Sequence, residues 1–122
     1  MPAFGSNAVS VLAKADFDNV ATAAIDAGKS LPQMLIEVCQ RLGARPAFSN
    51  LGRTLSYAEI DRLSADLAAY LRSGLGLTPG ERVAIMMPNL LQYPIAVLGV
   101  LRADLIAVLV NPLYTPRELK HQ

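Results

Sequence analysis

Few side chains in this sequence could act on a substrate. His121 is the one imidazole and Cys39 the one thiol among 122 residues. A Ser/His/Asp arrangement would have to use His121, at the end of the sequence, where no surrounding structure would hold a general base. Cys39 falls among apolar residues with no basic neighbour to stabilise a thiolate, so it reads as a small core residue. Glu59 and Asp61 would point to different faces of one helix, which separates them as an acid/base pair. The stretch SGLGLTPGER holds Gly74, Gly76 and Gly80, but it follows a helix and precedes a strand. A phosphate-cradling fingerprint needs the reverse order, and a helix end followed by a turn accounts for the glycines. With one His and one Cys there is no structural zinc cluster. The residues themselves therefore nominate no catalytic, no cofactor-binding and no metal-binding position.

Composition narrows the class further. Hydrophobic residues make up 52% and charged residues 17% of the chain, the balance of one compact domain rather than a disordered tail. The formal charge is +1, and Arg41, Arg45, Arg53, Arg62, Arg72 and Arg82 are scattered singly without interleaved aromatics, so no nucleic-acid partner is expected. A single cysteine fits a reducing compartment, and the first fifteen residues make no convincing signal peptide. A cytoplasmic location follows as the expectation. The most apolar region, Tyr93 to Val110, has Arg102 and Asp104 near its middle. Each would cost about 2.5–3.5 kcal/mol in a bilayer, so two shorter elements meeting at that charged joint are expected in place of a transmembrane segment.

The elements can be read from their start and stop signals. Residues 1–29 are rich in Ala with weak periodicity and form an N-terminal extension with at most a short helix. Ser30, Pro32 and Gln33 open a helix that runs to about Leu42, with Leu31, Leu35, Val38, Cys39 and Leu42 on its apolar face and Gly43 as its stop. Extended pieces at Ala47 to Ser49 and Arg53 to Leu55 flank Asn50-Leu51-Gly52 as a small hairpin. Ser56 and Glu59 form a second capping box, and Ile60, Leu63, Leu67, Tyr70 and Leu71 keep helical spacing until Gly74. Arg82 to Met87 reads as a strand closed by Pro88, and Asn89 as the N-cap of a helix reaching Ala103. Leu105 to Val110 then forms a strand with the pattern of one covered on both faces. Strand, helix, strand is a parallel βαβ unit. Thr115, Pro116 and Glu118 open a last helix only a few residues before Gln122, the mark of an incomplete end.

Three phrases, in this order and spacing, resemble the N-terminal part of adenylate-forming (AMP-binding) enzymes, most closely bacterial long-chain fatty acyl-CoA ligases. They are Arg45 to Leu71, Pro79 to Ala103, and Asn111 to Gln122. The resemblance implies an α/β fold in which residues 30–122 are the first part of a large N-terminal domain, with a small β-hairpin, a parallel βαβ unit and packing helices. It implies a parent enzyme that uses ATP and magnesium to join a long-chain fatty acid to AMP and then passes the acyl group to the thiol of CoA. By the resemblance, the family's phosphate loop, adenine and ribose contacts, magnesium-binding glutamate and catalytic lysine are expected beyond Gln122, and no residue among these 122 inherits a catalytic role. The chain is therefore expected to be a fragment that is inactive by itself, from a parent that works in the cytoplasm or beside a membrane.

Two positions depart from the family pattern. Asp104 stands where the family usually has Gly, a place that wants a left-handed backbone. Near Leu109 the family tends to have Asn or a small polar residue, so this strand is more apolar than the family pattern. Residues 1–30 also lack the aromatic-rich opening of these ligases. The alternative reading is a stand-alone, non-catalytic binding module, or a dimerisation module that self-associates through an exposed sheet edge.

Overall fold

The computed structural model describes residues 28–122, so a short helix within the 1–29 extension lies outside the described residues apart from Gly28 and Lys29. The first described helix, α1 (Leu31–Leu42), begins where the sequence signals it, with the Ser30 N–H donating to Gln33 Oε1 at 2.9 Å. Gly43 ends it at φ 47, its N–H returning to the Cys39 carbonyl at 2.9 Å. Strands β1 (Pro46–Asn50) and β2 (Arg53–Ser56) pair antiparallel, with Asn50 opposite Arg53. Only Leu51 and Gly52 remain in the loop. Both have positive φ, 48 and 77, the signature of a type I′ turn. The loop is thus two residues rather than three, and a leucine takes a conformation that Asn or Gly adopts more easily.

Helix α2 (Tyr57–Ala69) starts on the Ser56/Glu59 box and continues as a π-helical turn, Tyr70–Gly74. There the Leu75 N–H bonds to the Tyr70 carbonyl at 2.9 Å. Tyr70, placed on the apolar face by its spacing, is 57% exposed.

The second half is the expected βαβ unit. Strand β3 (Arg82–Ile85) pairs parallel with β4 (Ile106–Leu109), from Arg82 opposite Ile106 to Ile85 opposite Leu109, and α3 (Gln92–Arg102) connects them. Two details differ from expectation. Helix α3 begins after Leu91 rather than at Asn89, because residues 88–91 are spent on a turn: the Leu90 N–H bonds to the Pro88 carbonyl and the Tyr93 N–H to the Leu90 carbonyl. Pro94 then falls at the third helical position, where its missing N–H has no intrahelical partner to lose. Strand β4 is not covered on both faces among the described residues: Leu105 and Val110 are buried, whereas Ile106 and Leu109 are about half exposed. The short α4 (Pro116–His121) closes the chain on the Thr115/Glu118 box.

Two apolar clusters hold these elements together, and α3 contributes to both. Leu98 packs with Cys39 and Ile60, bringing α1 and α2 together, while Val100 packs with Leu71, Ile85, Ala103 and Leu105 around the parallel strands. Helices α2 and α3 approach closely at Gly99. A Cβ there would lie 2.8 Å from Leu67 Cδ2 and 3.0 Å from Leu67 Cβ.

Candidate functional site

The residues that could carry chemistry are mostly engaged in holding the fold. Glu59 accepts the Ser56 N–H and hydroxyl at 2.8 and 2.9 Å. Glu118 does the same for Thr115, at 2.7 Å each. Glu81 repeats the arrangement with Thr78, ahead of a strand rather than a helix. These N–H bonds, reinforced by the hydroxyls, stabilise the carboxylate form and hold all three acids below their ordinary pKa.

The same contacts decide the glycine-rich stretch. Gly76 and Gly80 do take positive φ. Yet the Thr78 N–H goes to Glu81, and the Gly80 N–H goes to the Asp104 carbonyl at 2.8 Å. A carboxylate of the chain itself occupies the loop where a phosphate would have to sit. Asp104 has φ 57, the left-handed backbone expected at this departure from the family pattern.

The structure brings Cys39, Asp61 and Arg102 together. Arg102 Nη1 pairs with the Asp61 carboxylate and also reaches the Asp61 carbonyl at 3.2 Å and Ser64 Oγ at 3.3 Å. The Ser64 hydroxyl, fully buried, donates to the same carbonyl at 3.0 Å. Burial raises the Cys39 pKa, Asp61 raises it further and Arg102 partly offsets them. This makes Cys39 a protonated core thiol and not a nucleophile. Asp61 faces α3 while Glu59 faces Ser56, so the two carboxyls are separated as expected. His121 is exposed on α4 beside Tyr114, Arg117 and Glu118, with no Ser/His/Asp geometry around it. Among the described residues no group of three or more His, Cys, Asp or Glu is placed to hold a metal. Magnesium and a nucleotide triphosphate do not fit the groups on these elements.

A concavity lies between the hairpin and the start of α3. It is a groove of 540 Å³ whose walls include Leu55, Leu63, Leu91 and Ile95. Asn50 Nδ2 donates to the Asn89 carbonyl at 2.9 Å, fastening the hairpin to the turn before α3. Sequence reasoning missed this groove, since no local pattern pairs residues 39 positions apart.

The fold defines the N-terminal subdomain of adenylate-forming enzymes. Its backbone is similar to the N-terminal subdomain of Klebsiella oxytoca NpsA in complex with anthranilyl-AMSN, with a TM-score of 0.73 and 27% identity over 76% of this chain and 24% of that one. A benzoate CoA ligase from Burkholderia xenovorans LB400 is similar at a TM-score of 0.69 and 27% identity, over 74% of this chain and 18% of that one. The family model of the AMP-binding enzymes matches residues 35–122, and the chain belongs to that family. It is 55% identical over 97 residues to the long-chain-fatty-acid–CoA ligase of Yersinia pestis, covering 80% of this chain. It spans 17% of that relative's length.

Proposed function

We propose that residues 30–122 are the scaffold subdomain of a cytoplasmic long-chain fatty acyl-CoA ligase, an enzyme of fatty acid metabolism. Such an enzyme joins a fatty acid to AMP at the expense of ATP, then transfers the acyl group to CoA. The observation that carries this reading is the 55% identity to the Yersinia pestis ligase, set against 27% to the benzoate ligase. The reading assigns no nucleotide, magnesium or CoA contact to the elements described, whose glycine loop is closed by Glu81 and whose acids serve as caps. Their part is mechanical: they join the hairpin, the helix pair and the first parallel strands of a sheet into one unit. The half-exposed Ile106 and Leu109 support a further layer of the same domain on β4 in preference to self-association. No observation favours a stand-alone binding module.

The test is palmitate-dependent exchange of labelled pyrophosphate into ATP by the 122-residue chain alone. A scaffold gives none. Exchange above the rate without palmitate would show that the described residues hold a nucleotide after all.

A further inference from the structure

Charge is divided unevenly along this chain. Residues 1–27 hold Asp16, Asp18 and Asp26 against Lys14, a formal −2 within a total of +1, which leaves +3 on the residues that follow. Two of the three acids flank an aromatic ring, in the order Asp16-Phe17-Asp18. An acidic segment carrying one large apolar side chain is complementary to an apolar surface with a cation at its rim.

The groove between the hairpin and α3 is such a surface. Leu55, Leu63, Leu91 and Ile95 line its 540 Å³. Arg53 is the one lining residue that carries charge, and it makes no ion pair among the described residues. The nearby acid Glu59, which feels that charge, is committed to Ser56. Leu55 and Ile95 also pack on the Cys39, Ile60 and Leu98 cluster, as does Leu35 in the second turn of α1. The start of α1, which residues 1–27 precede, therefore approaches the same cluster that floors the groove. Phe17 stands 11 positions before Gly28. That length extends to about 36 Å, against a diameter of roughly 33 Å for a domain of this size, so the groove is within reach. Two copies meeting symmetrically over the groove would set Arg53 against Arg53, so charge disfavours a second copy as the occupant. We propose that the Asp16-Phe17-Asp18 segment folds back into this groove, with the Phe17 ring among the leucines and the two carboxylates beside the Arg53 guanidinium. A short flexible tether gives an effective concentration on the order of mM, so a contact weak between separate molecules is populated within one. Docked, the segment closes the groove to any other occupant. The contact uses no nucleotide or acyl chemistry and stands or falls apart from the ligase reading.

The experiment records nuclear Overhauser contacts in the full chain, with Phe rings and Leu and Ile methyls labelled. Contacts from a ring to the Leu55, Leu63, Leu91 and Ile95 methyls that vanish in F17A are expected, at an intensity independent of protein concentration. R53E should weaken docking, read from the groove-methyl shifts relative to F17A, about fivefold, the size of one exposed ion pair. Adding D16K/D18K to R53E should restore it to within about twofold of the wild type. Arg53 is exposed, and the buried Leu71 and Leu98 methyls report that each variant is folded. The proposal is overturned if no Phe17 contact reaches the groove, if the contacts fall on Ile106 and Leu109, if R53E leaves docking unchanged, or if the charge swap restores nothing. Contacts between differently labelled molecules in a mixed sample would assign the groove to a second copy and equally overturn it, as would Leu71 and Leu98 methyls without the dispersion of a folded chain.

Discussion

Arg102 and Asp61, 41 positions apart, form a partly buried ion pair in which the guanidinium binds both the carboxylate and the carbonyl of the same residue. Side-chain exposures of 17% and 27% put the pair between a surface contact and a core one. The last turn of α3 is thereby held on the middle of α2. The same arginine answers the question raised by the long apolar run: its charge is met by a helix of the same domain. No helix among the described residues is long and apolar enough to cross a membrane.

Removing either partner strands the other in a partly dry place. D61A and R102M should each lower unfolding free energy by about 2 kcal/mol, below the 3–5 typical of a fully buried pair. The double variant should lose less than the sum of the two. A double-mutant cycle in urea measures the coupling; strict additivity would mean that the pair contributes nothing specific.

Gly99 permits the close approach of α3 to α2. G99A places a methyl against Leu67, including its Cβ, which cannot swing away as a side-chain tip could. A loss of about 1–3 kcal/mol is expected from overpacking, partly restored by L67A. Helix propensity alone predicts the opposite sign, a gain of about 1 kcal/mol, so the direction of the shift in urea midpoint decides between them.

Acid should loosen the fold through Glu59, Glu81 and Glu118. Each has a pKa lowered in the folded state by N–H and hydroxyl donors. Between the folded values and the ordinary glutamate value of about 4.3, the unfolded chain binds more protons, so stability rises with pH in that window. The contribution is fully present above it and lost as pH falls through the folded values. Urea midpoints between pH 6 and 3 should fall steeply for the wild type and less so for E59Q/E81Q/E118Q, which keeps an acceptor at each cap. Parallel curves would show that other groups control acid unfolding.

The capping boxes were legible because they are contacts between residues three apart. Ser30/Gln33, Ser56/Glu59 and Thr115/Glu118 all form where the sequence marks them. Thr78/Glu81 shows the same chemistry closing a turn, which is why such a pair alone does not announce a helix. Asn89 misled for a related reason: it has the side chain of a cap, but its carbonyl is taken by Asn50, and the chain turns for two more residues before α3 begins. Contacts between distant positions were not legible. Arg102 with Asp61, Gly99 with Leu67 and the groove itself depend on how helices and hairpin are laid together, which no local spacing records.

Among the described residues, two non-glycine residues occupy the left-handed region, Leu51 and Asp104. L51N and D104G should each raise stability by up to about 1 kcal/mol, since Asn and Gly relieve the Cβ conflict. D104V should lower it by at least as much. Thermal or urea unfolding of the three variants checks the order, and a stabilising D104V would mean that the backbone there is not left-handed.

The most direct test of the central claim is a chimera in which these residues replace the matching 17% of the Yersinia pestis ligase. Palmitate-dependent pyrophosphate exchange and palmitoyl-CoA formation by the chimera, at rates within about tenfold of the parent, are the expected result. At that level the change in activation free energy stays within about 1.4 kcal/mol. A folded chimera that retained neither activity would contradict the assignment of this subdomain to a fatty acyl-CoA ligase.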